Sequence, residues 1–169
     1  MTKTGKPTEL HVFALDGVLY NSQPPLYAPS SWWLSAHSLA GHGKPGFDTK
    51  WILDGVVEAR RSILLPTART ALLSGRPQHT EMSKSIQNLL QFADLRFDYV
   101  QLKPVSLQLD IPAYKAWMVQ QWIAAEPTIA SVMVHDKDAA SVRAIEAVVQ
   151  RSGRAFVAPG FLPASASPG

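Results

Sequence analysis

Three short apolar runs in this 169-residue chain end in residues able to do chemistry. Leu10 to Leu15 stops at Asp16-Gly17, Thr70 to Ser74 runs into Gly75-Arg76, and Ala130 to His135 runs into Asp136-Lys137-Asp138. Lys115 lies between the second and the third, early in a predicted helix. Carboxylates exchange protons or hold cations, a hydroxyl hydrogen-bonds an anion, and lysine and arginine oppose negative charge. Singly, each ending has a plainer reading: an Asp-Gly pair after a strand is a common turn, because Asp bonds its own backbone and Gly accepts positive φ. Their shared placement carries more weight. In an open parallel sheet the ligand sits beyond the carboxyl ends of the strands, where the strand order reverses.

Such a sheet is what the remaining pattern predicts. Apolar runs alternate with helical periodicity, which argues for an α/β, Rossmann-like parallel sheet flanked by helices, with a short cap-like insertion over about residues 20–49. Strands are expected at Leu10 to Leu15, Thr70 to Ser74, Phe97 to Leu102 and Ala130 to His135, with an edge strand at Ala155 to Ala158. A first helix is expected from about Thr49 to Leu64, capped by Asp48 or Thr49 and stopped by Pro66. A second runs from about Thr80 to Phe92, with Ile86, Leu89, Leu90 and Ala93 at helical spacing. The third opens near Asp110 and Pro112, carries Tyr114, Trp117, Met118, Trp122 and Ala125 on a face read as core, and stops at Pro127. The fourth spans Ala139 to Arg151 and closes at Gly153. Residues 1–158 are read as one domain, and 159–169, mostly Pro, Ala, Ser and Gly, as a disordered tail.

Strand ends in Asp, Ser and Asp, with a lysine before the third, resemble the four motifs of the haloacid dehalogenase (HAD) superfamily of phosphohydrolases over roughly Leu10 to Val149. Leu19-Tyr20-Asn21-Ser22 with Pro24, the pair Trp32-Trp33, Leu73-Ser74-Gly75-Arg76, Phe97-Asp98-Tyr99-Val100 with Leu102-Lys103-Pro104, and His135-Asp136-Lys137 look most like its RNA-repair-like, Swiss Army Knife group. That group usually carries Glu-Asp-Arg in the fourth motif, where this chain has His135-Asp136-Lys137. The resemblance implies a role for each position. Asp16 would protonate the leaving oxygen and then activate water. Ser74 would donate a hydrogen bond to a phosphoryl oxygen, and Lys115 would set positive charge against it. Asp136 would hold Mg²⁺, with the Asp16 carbonyl facing the metal and Asp138 as a second acid nearby. Lys103 is the rival to Lys115, and Lys115 is preferred because the motif lysine opens the helix before the fourth-motif strand.

One position departs from the pattern. The first motif should read Asp-x-Asp, and this chain has Ala14-Leu15-Asp16. The missing carboxylate is the one that attacks phosphorus and binds Mg²⁺. Its loss costs on the order of 10⁴-fold in rate by comparison with other nucleophile deletions, so the chain as written should be nearly inert. Either Ala14 is a substitution made in an active parent, or the chain is a natural pseudoenzyme that binds nucleotide or phosphate without turnover. Retention of Asp16, Ser74, Lys115 and Asp136 favours the first.

Composition bounds the partners. A net charge of +3 suits an anionic substrate but is too small to mark a nucleic-acid surface by itself. The chain has no cysteine, which excludes disulfides, thiolate metal sites and a cysteine nucleophile. It has no apolar run long enough to span a membrane and no apolar leader at its start, so a cytoplasmic protein without membrane contact is expected. Substrate choice should be written in the insertion, where Trp32 and Trp33 either stack on a base or simply pack the segment down. His37 and His42 lack companion ligands for a zinc site. Gly75 and Arg76, with His79 just beyond, are placed to meet a phosphate or a nucleic-acid backbone. The expected activity is Mg²⁺-dependent hydrolysis of a phosphomonoester on a nucleotide or an oligonucleotide end, 5′ and 3′ phosphates being equally open.

Overall fold

A computed structural model describes residues 3–21, 24, 27–40, 43–46 and 50–160. Among them, strands and helices alternate as β1 (Glu9–Phe13), α1 (Leu53–Leu64), β2 (Ala68–Gln78), α2 (Thr80–Phe92), β3 (Tyr99–Pro104), α3 (Ile111–Ala125), β4 (Ser131–His135), α4 (Ala139–Arg151) and β5 (Ala155–Val157). The strands form one all-parallel sheet in the order β3-β2-β1-β4-β5. Side chains alternate across β1: Leu10 and Val12 join a core with α3 and α4, while Phe13 joins one with α1 and α2. Both faces are therefore covered, as a parallel sheet requires. No helix among the described residues is long and apolar enough to cross a membrane.

Several boundaries differ from expectation, each for a tertiary reason. The first helix starts at Leu53 rather than near Thr49, with Ile52 as an N-cap that offers no side chain. Its expected first turn is diverted into pairing: the Asn21 amide donates to the Lys50 carbonyl at 2.7 Å, and the Ile52 amide to the Leu19 carbonyl at 2.9 Å. Strand β2 runs past Ser74 to Gln78 through a bulge between Ser74 and Pro77. β3 begins at Tyr99, because the Asp98 carboxylate is turned to the Thr70 amide at 2.8 Å. On α3 the buried residues are Tyr114, Lys115, Ala116, Val119 and Ile123, and Trp117 is exposed. This helix is apolar nearly all round, so periodicity did not select its inner face. The expected cap at Asp48 or Thr49, and residues His42, Ser22 and 161–169, lie outside the described residues. Within the insertion two short 3₁₀ turns, Ser30–Leu34 and Ala36–Leu39, fold against α2 and the end of β2.

Two contacts of this framework yield expected results. Gly55 in α1 packs on the turn after β1, and a Cβ there would lie 1.8 Å from the Val18 carbonyl oxygen. Alanine ordinarily exceeds glycine in a helix by about 1 kcal/mol. Gly55→Ala should instead lose about 1–3 kcal/mol, seen as a lower urea midpoint at unchanged slope.

Burial also lowers the pKa of His11 and His135 from the ordinary 6.5. His11 pairs with the Ser62 hydroxyl at 2.7 Å, and His135 stacks on Phe13 with centroids 4.3 Å apart. Below pH 6.5 the unfolded chain takes up protons that the folded chain refuses, so stability falls as pH drops. The melting temperature should decline from about pH 7 to pH 5. His135→Phe, which keeps a stacked ring, should flatten that slope; an unchanged slope would remove His135 from the account.

Candidate active site

Register brings the ends of β1 and β4 level with Leu72, just ahead of the bulge in β2. Phe13 lies opposite both Leu72 and His135, and the Ala14 amide donates to the His135 carbonyl at 2.9 Å. Ala14 thus stands beside Asp136 on one flank and one residue short of Ser74 on the other. Strand order reverses between β1 and β4, so Ala14, Asp16 and Asp136 border the switch point at which open parallel sheets bind ligands.

Each chemical group is placed by a local device. Asp16 leads a tight turn that needs Gly17 at φ +77°, and the Leu19 and Tyr20 amides close it on the Leu15 carbonyl at 3.0 Å each. The bulge in β2 carries Arg76 toward β1, in keeping with the use of bulges to re-aim side chains beside sites. Lys115 sits one turn into α3, whose start is set by the Asp110 carboxylate accepting from the Ala113 amide at 2.8 Å.

These devices converge on two ion pairs. The Arg76 fork grips Asp16, Nη2 to Oδ1 at 2.7 Å and Nε to Oδ2 at 2.9 Å. Lys115 Nζ lies 2.6 Å from Asp136 Oδ2, with both side chains under a tenth exposed. Asp136 Oδ1 accepts from the Asp138 amide at 3.0 Å. Asp138 itself caps α4, and its carboxyl is held below the usual range first by the hydrogen bond from the Ser141 hydroxyl. Ser74 is 2% exposed and accepts from the Arg76 amide at 3.2 Å. Asp16, Arg76, Lys115, Asp136 and Asp138, with Trp33, Gly75 and Ile111, line a cavity of about 350 Å³.

The other anticipated residues fall nearby in different roles. Trp33 faces the cavity, and the Arg76 guanidinium lies 5.3 Å from its ring centroid. Trp32 packs edge-on against Trp33 at 4.9 Å. Arg76 Nη1 also donates to the Trp33 carbonyl at 3.1 Å and to the Ser38 hydroxyl, so it fastens the insertion to the site. Lys103 lines an adjoining cavity and donates to the Leu107 carbonyl at 3.0 Å, away from the Lys115–Asp136 pair. His79 caps α2 by accepting from the Met82 amide. Ser38, Leu34 and Ile111 were not anticipated. Nothing local marks them; the folding of residues 27–40 onto the bulge places Leu34 and Ser38, and the start of α3 places Ile111.

The implied Mg²⁺ can be tested against these donors. Ala14 offers no side-chain oxygen, both Asp16 carboxylate oxygens face a guanidinium, and the Asp136 oxygens are engaged by the Lys115 ammonium and the Asp138 amide. No group of three or more His, Cys, Asp or Glu able to hold a metal occurs among the described residues. The two pairs already cancel in formal charge. As it stands, this donor set does not fit a resident Mg²⁺, which favours one or two free carboxylates.

Comparison with known proteins agrees with the fold. The model of HAD domain family 1 in Swiss Army Knife RNA repair proteins matches residues 15–157. Among solved structures, the HAD domain of effector protein Lem4 from Legionella pneumophila aligns at a TM-score of 0.60 and 15% identity, over 95% of this chain and 89% of that one. A chain of the Pnkp1/Rnl/Hen1 RNA repair complex aligns at 0.55 and 9%, over 90% of this chain and 44% of that one. None of the curated protein sequences matches.

Proposed function

The chain belongs to HAD domain family 1 in Swiss Army Knife RNA repair proteins, and from that premise we propose a phosphohydrolase site for a phosphomonoester of a nucleotide or a nucleic-acid end, disabled at its nucleophile. One observation supports this reading: Asp16, Lys115 and Asp136 line one cavity, and Ala14, which ends in a methyl group, lies level with Asp136 and one residue short of Ser74 on the neighbouring strand. An ammonium has three donors, and Asp136 uses one, so Lys115 can also meet phosphoryl oxygens. The Ser74 hydroxyl adds a further donor. Asp16, 40% exposed, is the acid that can reach a leaving oxygen, after exchanging its guanidinium partner for a proton.

With aspartate at position 14, its carboxylate attacks phosphorus while the bond to the leaving oxygen breaks and Asp16 supplies the proton. Asp16 then takes a proton from water, which attacks the aspartyl phosphate and restores the carboxylate. With Ala14 the first bond has no nucleophile to form it. Completeness of the other residues supports a substitution in an active parent. A second reading, a binding module for a phosphorylated nucleotide, is favoured by the charge balance the site reaches without a metal.

Phosphate release by the Ala14→Asp protein and by this chain, compared with Mg²⁺ across nucleoside monophosphates and 5′- or 3′-phosphorylated oligonucleotides, tests the proposal. Turnover in the aspartate protein alone supports it. Silence in both, from folded protein, favours the binding module.

A further inference from the structure

Beside the site cavity lies a second of about 780 Å³, and the two share Leu34, Gly75, Ile111 and Asp138. Both volumes fall in the range of roughly 300–1,000 Å³ usual for small-molecule sites. The second is walled by Pro77, Pro104, Val105 and Leu109, and Val105, Leu34 and Ile111 are left exposed. Exposed apolar side chains gathered along one groove beside a polar site are the usual lining of a ligand pocket. Gly75 lines both cavities, and a Cβ there would lie 2.7 Å from the Ile111 side chain, so any larger residue would have to displace Ile111 from the wall the cavities share.

Charge decides what the groove can hold. Among the described residues its one cation is Lys103, whose ammonium is directed to the Leu107 carbonyl, and its acids are Asp110 and Asp138. A nucleic-acid strand would bring further phosphates against two carboxylates with no row of lysines or arginines to neutralise them. A single uncharged ring system adds no charge against those carboxylates and meets walls that are mostly apolar. Resting on the phosphomonoester reading above, we infer that the second cavity is the subsite for one nucleoside, so that the ligand is a mononucleotide and not the end of a strand.

Isothermal titration of this chain, with inorganic phosphate, a set of nucleoside monophosphates and a 5′-phosphorylated oligonucleotide, tests this at two salt concentrations. At least one mononucleotide should bind roughly tenfold or more tighter than inorganic phosphate, the gain expected from removing part of a ring's apolar surface from water. The oligonucleotide should bind no tighter than the mononucleotide. Val105→Asp should shrink the preference for mononucleotide over phosphate. Tighter oligonucleotide binding that falls steeply with salt would overturn the inference and leave the phosphate site standing, as would equal affinity for phosphate and every mononucleotide. Absence of binding by all three, phosphate included, would remove the phosphohydrolase reading together with it.

Discussion

Ala14→Asp should raise phosphate release by about 10⁴-fold or more over this chain, because removal of a covalent nucleophile costs rates of that order. The gain should appear in kcat, with little change in KM, since the substitution leaves the proposed phosphoryl-binding residues Ser74 and Lys115 unchanged. Position 14 is 4% exposed and lies level with Asp136. A carboxylate there adds negative charge to a set whose pairs now cancel, and a third acid beside Asp16 and Asp136 supplies the oxygen donors this chain lacks for Mg²⁺. Activity of the aspartate protein should therefore vanish in EDTA and return with Mg²⁺, while this chain stays silent in both. Adding Lys115→Ala to the active protein should lower its rate again. An aspartate protein that folds, binds phosphate and does not turn over would mean that the site has lost more than one carboxylate.

The second large effect is on stability. Lys115→Met should destabilise the fold by about 3–5 kcal/mol, because it leaves the Asp136 carboxylate buried without its cation. The pair is 2.6 Å apart with side-chain exposures of 8% and 6%, so water does little to replace the lost partner. A Lys115→Met, Asp136→Leu double variant should recover most of the loss, since a buried ion pair is often no better than an apolar pair of similar volume. Urea denaturation of the two single variants and the double one measures the coupling directly. A single-variant loss below about 1 kcal/mol would show the pair to be screened like a surface one. The Asp16–Arg76 pair is a contrasting case: its carboxylate is 40% exposed, and removing it should cost less in stability.

Much of the architecture was legible from local pattern. Apolar runs closed by Asp16 and Asp136 marked the ends of β1 and β4, and the inner face of α2 followed from the spacing of Ile86, Leu89 and Leu90. Where the pattern was ambiguous, so was the reading. The uniform apolarity of α3 hid which side faces the sheet, and the start of α1 depended on bonds from Leu19 and Asn21, some thirty residues upstream.

Residue identity and strand periodicity are local properties, so the order of chemical groups along the chain, and a methyl at position 14 where the resemblance expects a carboxylate, could be read without the fold. The pairing of Asp16 with Arg76, the burial of Lys115 against Asp136, and the groove beyond Gly75 were decided only by tertiary structure. Each depends on the register between parallel strands and on a bulge that turns Arg76 toward β1, and those distances are set by packing between segments far apart in the chain.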